Sequence, residues 1–95
     1  MPTTPESRLK REIKQYLRSE GAAYFPIPGG AYGMDGAPDM VACYDSRFIA
    51  IEGKTYDGRQ SQVQKERQAW VESAGGVYVL ARRVDDVKFV IRHVC

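Results

Sequence analysis

Two short apolar runs, separated by only two turn-forming residues, constrain the fold of this chain more than any other feature. The first run spans residues 39–44 and the second spans residues 47–52, with Asp45-Ser46 between them. Runs of this length, rich in β-branched and aromatic residues, are typical of strands, and a two-residue connection is typical of a hairpin. Because the runs are nearly continuous, they predict central strands covered on both faces, with Cys43 as a small core residue.

The register of this hairpin predicts that two carboxylates and a lysine lie together. If the turn is centred on Asp45-Ser46, Asp39 faces Glu52 across the two strands. Directly opposed residues share a face, with Cβ atoms roughly 4.5–5.5 Å apart. Lys54, two residues beyond Glu52, points to that face by strand alternation. Two carboxylates this close repel each other unless a divalent cation lies between them.

The pattern therefore predicts an oxygen-ligand site for Mg²⁺ or Mn²⁺, to which the Gly53 carbonyl could contribute. Such a cation acidifies a bound water and neutralises charge on a phosphate, while Lys54 orients that water or stabilises the transition state. This chemistry suits the hydrolysis of a phosphodiester.

The composition excludes two other classes of protein. One His and two Cys cannot build a four-ligand zinc site, which excludes a protein held together by structural zinc. A net charge of +2 excludes a polybasic peptide that binds nucleic acid by bulk charge.

The remaining sequence predicts three helices and two further strands. The first helix begins after an N-cap at Thr4, carries an apolar stripe at helical spacing and ends at Gly21. A short edge strand is predicted over residues 24–27, another strand over 77–81, and a last helix from Val84 onward. A helix capped by Ser61 is expected to turn one apolar face inward. The inward residues of that helix are Val63, Trp70, Val71 and Ala74. The predicted order is α-β-β-β-α-β-α.

Length and termini give further expectations. Ninety-five residues allow a single domain, residues 1–95, with a small core. The N-terminal segment lacks the pattern of a signal peptide, and the apolar runs are far too short to span a membrane. We therefore expect a cytoplasmic protein.

Pro38-Asp39, followed by Glu52-Gly53-Lys54, resembles the signature of the PD-(D/E)xK nuclease superfamily. The glycine-rich lead-in over residues 33–39, residues 61–64 opening the next helix, and Glu6 on the first helix are similar to the VRR-NUC branch, the virus-type replication-repair nucleases. The resemblance covers essentially the whole chain. It implies a stand-alone domain of the kind found in phages, which would act in the host cell. It also implies a restriction-endonuclease-like α/β fold, with an αβββαβ core whose mixed sheet is flanked by helices.

The resemblance also implies roles for individual residues. Asp39 and Glu52 would be metal ligands, and Lys54 would be the catalytic lysine. Gln64 would position a phosphate or water beside the active site, and Glu6 would support the metal directly or through water. The chain departs from the family pattern at Gly53, where a bulkier apolar residue is usual.

The function expected from this resemblance is Mg²⁺-dependent, structure-selective cleavage of DNA, with Holliday-junction resolution as the leading activity. Lys10, Arg11, Arg59 and Lys65 are candidate phosphate contacts. A homodimer is expected, because a chain this small, with a net charge of +2, offers few phosphate contacts alone, and two-fold symmetry would supply two active sites. The alternatives are a less selective nickase or flap nuclease, or a DNA-binding module without catalysis.

Overall fold

Residues 4–28 and 35–95, which the computed structural model describes, form three helices and four strands. In chain order these are α1 (Pro5–Ser19), β1 (Ala23–Pro26), β2 (Met40–Tyr44), β3 (Arg47–Gly53), α2 (Gln62–Ser73), β4 (Val77–Ala81) and α3 (Val84–His93). The predicted order is confirmed. Gly33, the first residue of the glycine-rich lead-in, lies outside the described residues, as do Gly29 and Gly30. Within those residues, no helix combines the length and the apolar character needed to cross a membrane.

The β2–β3 hairpin has the register that the sequence predicts. Tyr44 pairs with Arg47 and Val41 pairs with Ala50 in an antiparallel arrangement. The two turn residues, Asp45 and Ser46, have φ values of 51° and 65°. Positive φ at both central positions gives the backbone twist that two-residue hairpins favour. A local turn therefore fixes which residues oppose each other along both strands.

The sheet is mixed, as expected, with the strand order β1-β2-β3-β4. Strand β2 runs antiparallel to both β1 and β3, whereas β4 is parallel to β3. A parallel neighbour requires a crossover connection, which α2 provides. Pro26 is the last residue of the edge strand β1, a position where its missing N–H costs no ladder hydrogen bond.

One face of the sheet is buried beneath α1 and α3 and holds the core. The N-cap of α1 is Thr4, whose side chain accepts a hydrogen bond from the Ser7 N–H, as the sequence predicts. The predicted stripe of α1 faces the sheet, and α3 contributes a second stripe. The buried apolar residues of this cluster are Leu9, Ile13, Leu17, Ala22, Met40, Ala42, Ile49, Ile51, Val79, Ala81, Val87 and Ile91.

The opposite face of the sheet is covered only in part, which contradicts three expectations. Helix α2 has no fully buried residue, Trp70 is 61% exposed and Ala74 is exposed. Cys43, expected in the core, is also exposed. The reason is that α2 packs on β4 through half-buried residues such as Val71 and leaves the β1–β2 side of this face open. Strand β2 is thus covered fully on one face only.

Candidate active site

Asp39 and Glu52 meet where β2 begins and β3 ends. Met40 pairs with Ile51, so the preceding Asp39 and the following Glu52 are the next opposed positions of the hairpin. Oδ2 of Asp39 accepts a hydrogen bond of 2.7 Å from the backbone N–H of Gly53, which fixes the aspartate against the end of β3. The carboxylate pair predicted from the hairpin register is therefore present.

Glu52 is an unusual carboxylate because only 3% of it is exposed to solvent. Its Oε1 accepts a hydrogen bond of 2.8 Å from Nε2 of Gln64, whereas its Oε2 is buried without a hydrogen-bond partner among the described residues. Burial, followed by repulsion from Asp39, raises the pKa of Glu52 to about 7. Lys54 and Lys10 act in the opposite direction on this pKa but do not cancel the effect.

Lys54 and Gln64 approach the same glutamate from two sides. Nζ of Lys54 lies 3.6 Å from Oε1 of Glu52, which confirms that the lysine and the glutamate share a face. Gln64 is held by a capping box at the start of α2: its N–H bonds to the Ser61 hydroxyl, and its Oε1 accepts from the Ser61 N–H. The capping box thereby holds Gln64 so that its amide Nε2 faces Glu52. Gln64 therefore both caps the N-terminus of α2 and belongs to the site.

Lys10 joins the site from α1. Its Nζ lies 3.2 Å from Oδ1 of Asp39 and 3.5 Å from Oε1 of Glu6, one helical turn away. Burial would lower the pKa of Lys10, but the carboxylates of Asp39 and Glu6 outweigh it and raise that pKa. Glu6 is therefore connected to the site by its ion pair with Lys10, whose positive charge compensates the negative charge of the carboxylates.

The segment that leads into Asp39 is held against α2. Gly36 has a φ of +76°, and a Cβ there would meet Cγ1 of Val63 and lie 2.9 Å from the Val63 backbone carbonyl. In addition, Nε of Arg67 donates a hydrogen bond of 3.2 Å to the Asp35 carbonyl. Glycine is thus required at position 36 both by backbone conformation and by close packing.

An open cavity of about 430 Å³ lies at this site, and Lys54 and Glu6 are not among the residues that line it. Its polar lining comes from α1, from the lead-in to β2, from β3 and from α2. The residues that line it are Lys10, Lys14, Pro26, Ile27, Pro28, Asp35, Gly36, Ala37, Pro38, Asp39, Met40, Glu52 and Gln64. Because its lining combines acidic residues with two lysines, the cavity can hold a cation together with an anionic substrate.

A family model for the archaeal Holliday junction resolvase Hjc matches residues 5–94. The chain belongs to the Hjc family. As a member of this family it is a nuclease, a hydrolase that acts on DNA. A search among curated protein sequences finds no similar protein.

Solved structures confirm the fold of this Hjc-family nuclease. A structure described as a VRR_NUC domain superposes with a TM-score of 0.81 at 18% identity, covering 97% of this chain and 99% of the other. Hjc from Archaeoglobus fulgidus, a Holliday junction resolvase, superposes with a TM-score of 0.61 at 23% identity, covering 79% of this chain and 65% of the other. The predicted restriction-endonuclease-like fold is therefore confirmed, and in fold the chain is similar to a VRR_NUC domain.

The residues predicted to contact DNA lie in different parts of the nuclease. Lys10 lies in the active-site cavity, and Arg11 is exposed on α1. Arg59 and Lys65 line a second, open groove of about 530 Å³ together with Arg82. Arg82 and the neighbouring Tyr56 were not anticipated from the sequence, because no spacing pattern connects the end of β4 to the turn after β3.

Proposed function

We propose that this nuclease is a Mg²⁺- or Mn²⁺-dependent, structure-selective endonuclease that resolves four-way DNA junctions as a homodimer. The observation that carries the proposal is the buried Oε2 of Glu52, which has no hydrogen-bond partner among the described residues and lies beside a second carboxylate. A buried, unpaired carboxylate oxygen costs free energy unless a cation binds it. The family match gives the reaction class.

The carboxylates of Asp39 and Glu52 are suitable ligands for a hard divalent cation, and the Gly53 carbonyl is a candidate third ligand. Among residues 4–28 and 35–95, no group of three or more His, Cys, Asp or Glu side chains is gathered closely enough to hold a metal. The remaining ligands would therefore be water and phosphate oxygens, as is usual for Mg²⁺. When bound, the cation would lower the pKa of water and neutralise charge on the scissile phosphate.

The other side chains of the site have distinct proposed roles. Lys54 stabilises the charge that develops on the phosphate, because its ammonium lies beside Glu52. Gln64 holds Glu52 in place through its amide hydrogen bond. Lys10 supplies positive charge beside Asp39, and Glu6 positions Lys10. Of these, Lys54 acts on the reacting group, whereas Gln64 and Glu6 are positioning residues.

Two observations support the homodimer and the branched substrate. The Hjc family is described as one of Holliday junction resolvases, and a four-way junction has two equivalent strands to cut. The open part of the sheet also carries exposed apolar side chains, including Phe25 and Phe48. An exposed apolar surface of this kind is typical of a protein interface.

The test is a cleavage assay on a linear duplex, a flap and a four-way junction of matched sequence, with Mg²⁺ or Mn²⁺ and with EDTA. We expect paired, symmetric cuts in the junction and no cleavage in EDTA. Lys54→Ala should lower the cleavage rate by about 10²–10³-fold with little change in junction binding. The control is Lys88→Ala, which removes a lysine from α3 and should leave cleavage unchanged.

The alternatives give different results in the same assay. Cleavage of all three substrates at similar rates would favour the less selective nickase, and cleavage of the flap alone would favour the flap nuclease. Binding without cleavage under every condition would favour the DNA-binding module. Unimpaired cutting by Lys54→Ala would contradict the role of that lysine.

A further inference from the structure

The turn that follows Lys54 is fixed by a single arginine at the end of β4. The two N–H groups of Nη1 of Arg82 donate hydrogen bonds of 2.8 Å to the carbonyls of Thr55 and Gly58, and they share a longer contact of 3.3 Å with the Tyr56 carbonyl. The turn is closed further by the Gly58 N–H, which bonds to the Thr55 carbonyl at 2.9 Å. Hydrogen bonds from a charged donor are stronger than those between neutral groups, so the turn is rigidly held.

This turn lies directly against Lys54. A Cβ at Gly58 would lie 3.4 Å from both Cβ and Cδ of Lys54, which places the turn on the aliphatic stem of that lysine. The backbone N–H of Lys54 itself bonds to the Ala81 carbonyl at 2.9 Å, next to Arg82 in the chain. The backbone of the turn is therefore held at a fixed position close to Lys54.

The turn presents Tyr56, whose side chain lies almost entirely in solvent. Tyr56 is 95% exposed, the most of any large apolar residue among those described. Its ring therefore contributes little to the core, although its backbone is held by Arg82. An aromatic ring displayed on a rigid turn beside a lysine of the active site is available to a ligand.

The groove beside Tyr56 is positively charged. Its charged lining comprises Arg59, Lys65 and Arg82 against a single acidic residue, Asp57. A cationic groove with an aromatic ring at its edge is the arrangement by which proteins bind unpaired nucleic acid: the cations contact phosphates, and the ring stacks on a base. In continuous duplex DNA every base is already stacked, whereas a branch point leaves bases whose stacking is interrupted.

We propose that Tyr56 stacks on an unstacked base at the branch point of the DNA substrate, while Arg59 and Lys65 bind the adjoining phosphates. Arg82 acts through the turn, as a positioning residue, by holding Tyr56 in place. The inference rests on the proposed function, because it takes branched DNA as the substrate. It adds the feature by which this active site would distinguish a branch from a linear duplex.

The experiment measures equilibrium binding of the full chain to a four-way junction and to a linear duplex of the same sequence, with Ca²⁺ in place of Mg²⁺ to prevent cleavage. The junction carries 2-aminopurine at the branch point, whose fluorescence is quenched by stacking. We expect Tyr56→Ala to weaken junction binding about tenfold and to abolish the protein-dependent quenching. Duplex binding should change less than about twofold, because its bases are not available.

Two variants make the result specific. Tyr56→Phe keeps the ring and should retain junction affinity and quenching. Phe89→Ala removes another exposed aromatic ring, on α3, and should change neither. Both alanine variants should keep the melting temperature of the wild type, because the removed rings are exposed.

The outcomes separate this inference from the proposed function. If the wild-type protein binds duplex as tightly as junction, the proposed function fails and the inference fails with it. If the wild type prefers the junction and Tyr56→Ala keeps that preference, only the stacking role is overturned. Equal losses in Tyr56→Ala and Tyr56→Phe would overturn stacking as well, because they would assign the effect to the hydroxyl group.

Discussion

Glu52 is held in an environment that opposes its charge. It is nearly inaccessible to solvent and lies beside Asp39, and both features raise its pKa, to about 7. The amide of Gln64 and the ammonium of Lys54 both reach Oε1, and Oε2 has no partner among the described residues. The fold therefore maintains a site that is favourable for a cation and unfavourable for a bare carboxylate.

This environment predicts a pH-dependent stability of the metal-free protein. The folded-state pKa of Glu52 is about 7 and its ordinary value is 4.5, so the folded state binds the proton more tightly. The stabilising effect of protonation is complete below pH 4.5 and is lost as the pH rises through 7. In EDTA, Glu52→Gln should therefore gain about 2–3 kcal/mol in unfolding free energy relative to wild type between pH 5 and pH 8.

Urea unfolding at both pH values measures this difference. Glu66→Gln, which removes an exposed carboxylate from α2, is the control and should show no such gain. If the difference in unfolding free energy between wild type and Glu52→Gln is the same at pH 5 and pH 8, Glu52 has an ordinary pKa. Its negative charge then does not destabilise the folded state.

The candidate residues differ in how far the sequence could predict them. Asp39, Glu52 and Lys54 follow from one short turn, because a two-residue hairpin fixes the register and the register fixes the shared face. The contact of Lys10 with Asp39 could not be predicted in this way, because it depends on how α1 packs across the sheet. The hydrogen bonds of Arg82 to the turn after β3 depend on tertiary structure for the same reason.

At the scale of the elements, the lead-in to β2 and the start of α2 form one unit. Gly36 packs against Val63, and the Asp35 carbonyl accepts a hydrogen bond from Arg67. Contacts with α2 therefore fix the segment before Asp39. The start of α2 also aims Gln64 at Glu52. The positions of both carboxylates therefore depend on the same helix.

We predict that Gly36→Ala disturbs this unit more than a comparable substitution elsewhere. Gly75 also has a positive φ, +94°, but nothing lies within 4 Å of a Cβ there. Gly75→Ala should cost about 1–2 kcal/mol from the left-handed backbone alone, without loss of cleavage. Gly36→Ala adds steric overlap, and it should cost more and lower the single-turnover cleavage rate at saturating DNA at least about tenfold. Equal effects of the two substitutions on stability and rate would show that the packing of Gly36 does not position Asp39.

The elements themselves were predictable where local patterns decide them. The caps at Thr4 and Ser61 and the hairpin turn are local, and the structure has them where the sequence places them. The burial of α2 was predicted incorrectly. Its apolar stripe indicates a covered face, but how much of a helix is covered depends on the neighbouring elements, and a four-stranded sheet leaves Trp70 exposed.

At the scale of the whole molecule, the two faces of the sheet are unequal. Helices α1 and α3 cover one face with the core, whereas the β1–β2 half of the other face is open. Phe25, Cys43 and Phe48 lie on this open face by the strand register, and Trp70 of α2 borders it in a groove shared with Phe48. We call these four residues the open apolar face. Its four side chains are uncharged, and a cation lies beside them: Arg67, which is 5.6 Å from the centroid of the Trp70 ring. The open apolar face is therefore better suited to a second copy of the chain than to DNA phosphates.

We therefore predict that the open apolar face forms the dimer interface. Phe48→Asp should shift the mass in solution at about 10 μM from a dimer to a monomer of 10.7 kDa, because a buried unpaired carboxylate opposes association. Junction cleavage should then give single nicks in place of paired cuts, since two active sites are no longer held together. Phe89→Asp, on the exposed surface of α3, is the control and should leave the dimer and the paired cuts intact. A wild-type protein that is monomeric by light scattering while it resolves junctions would contradict the dimer, and a dimeric Phe48→Asp would place the interface elsewhere.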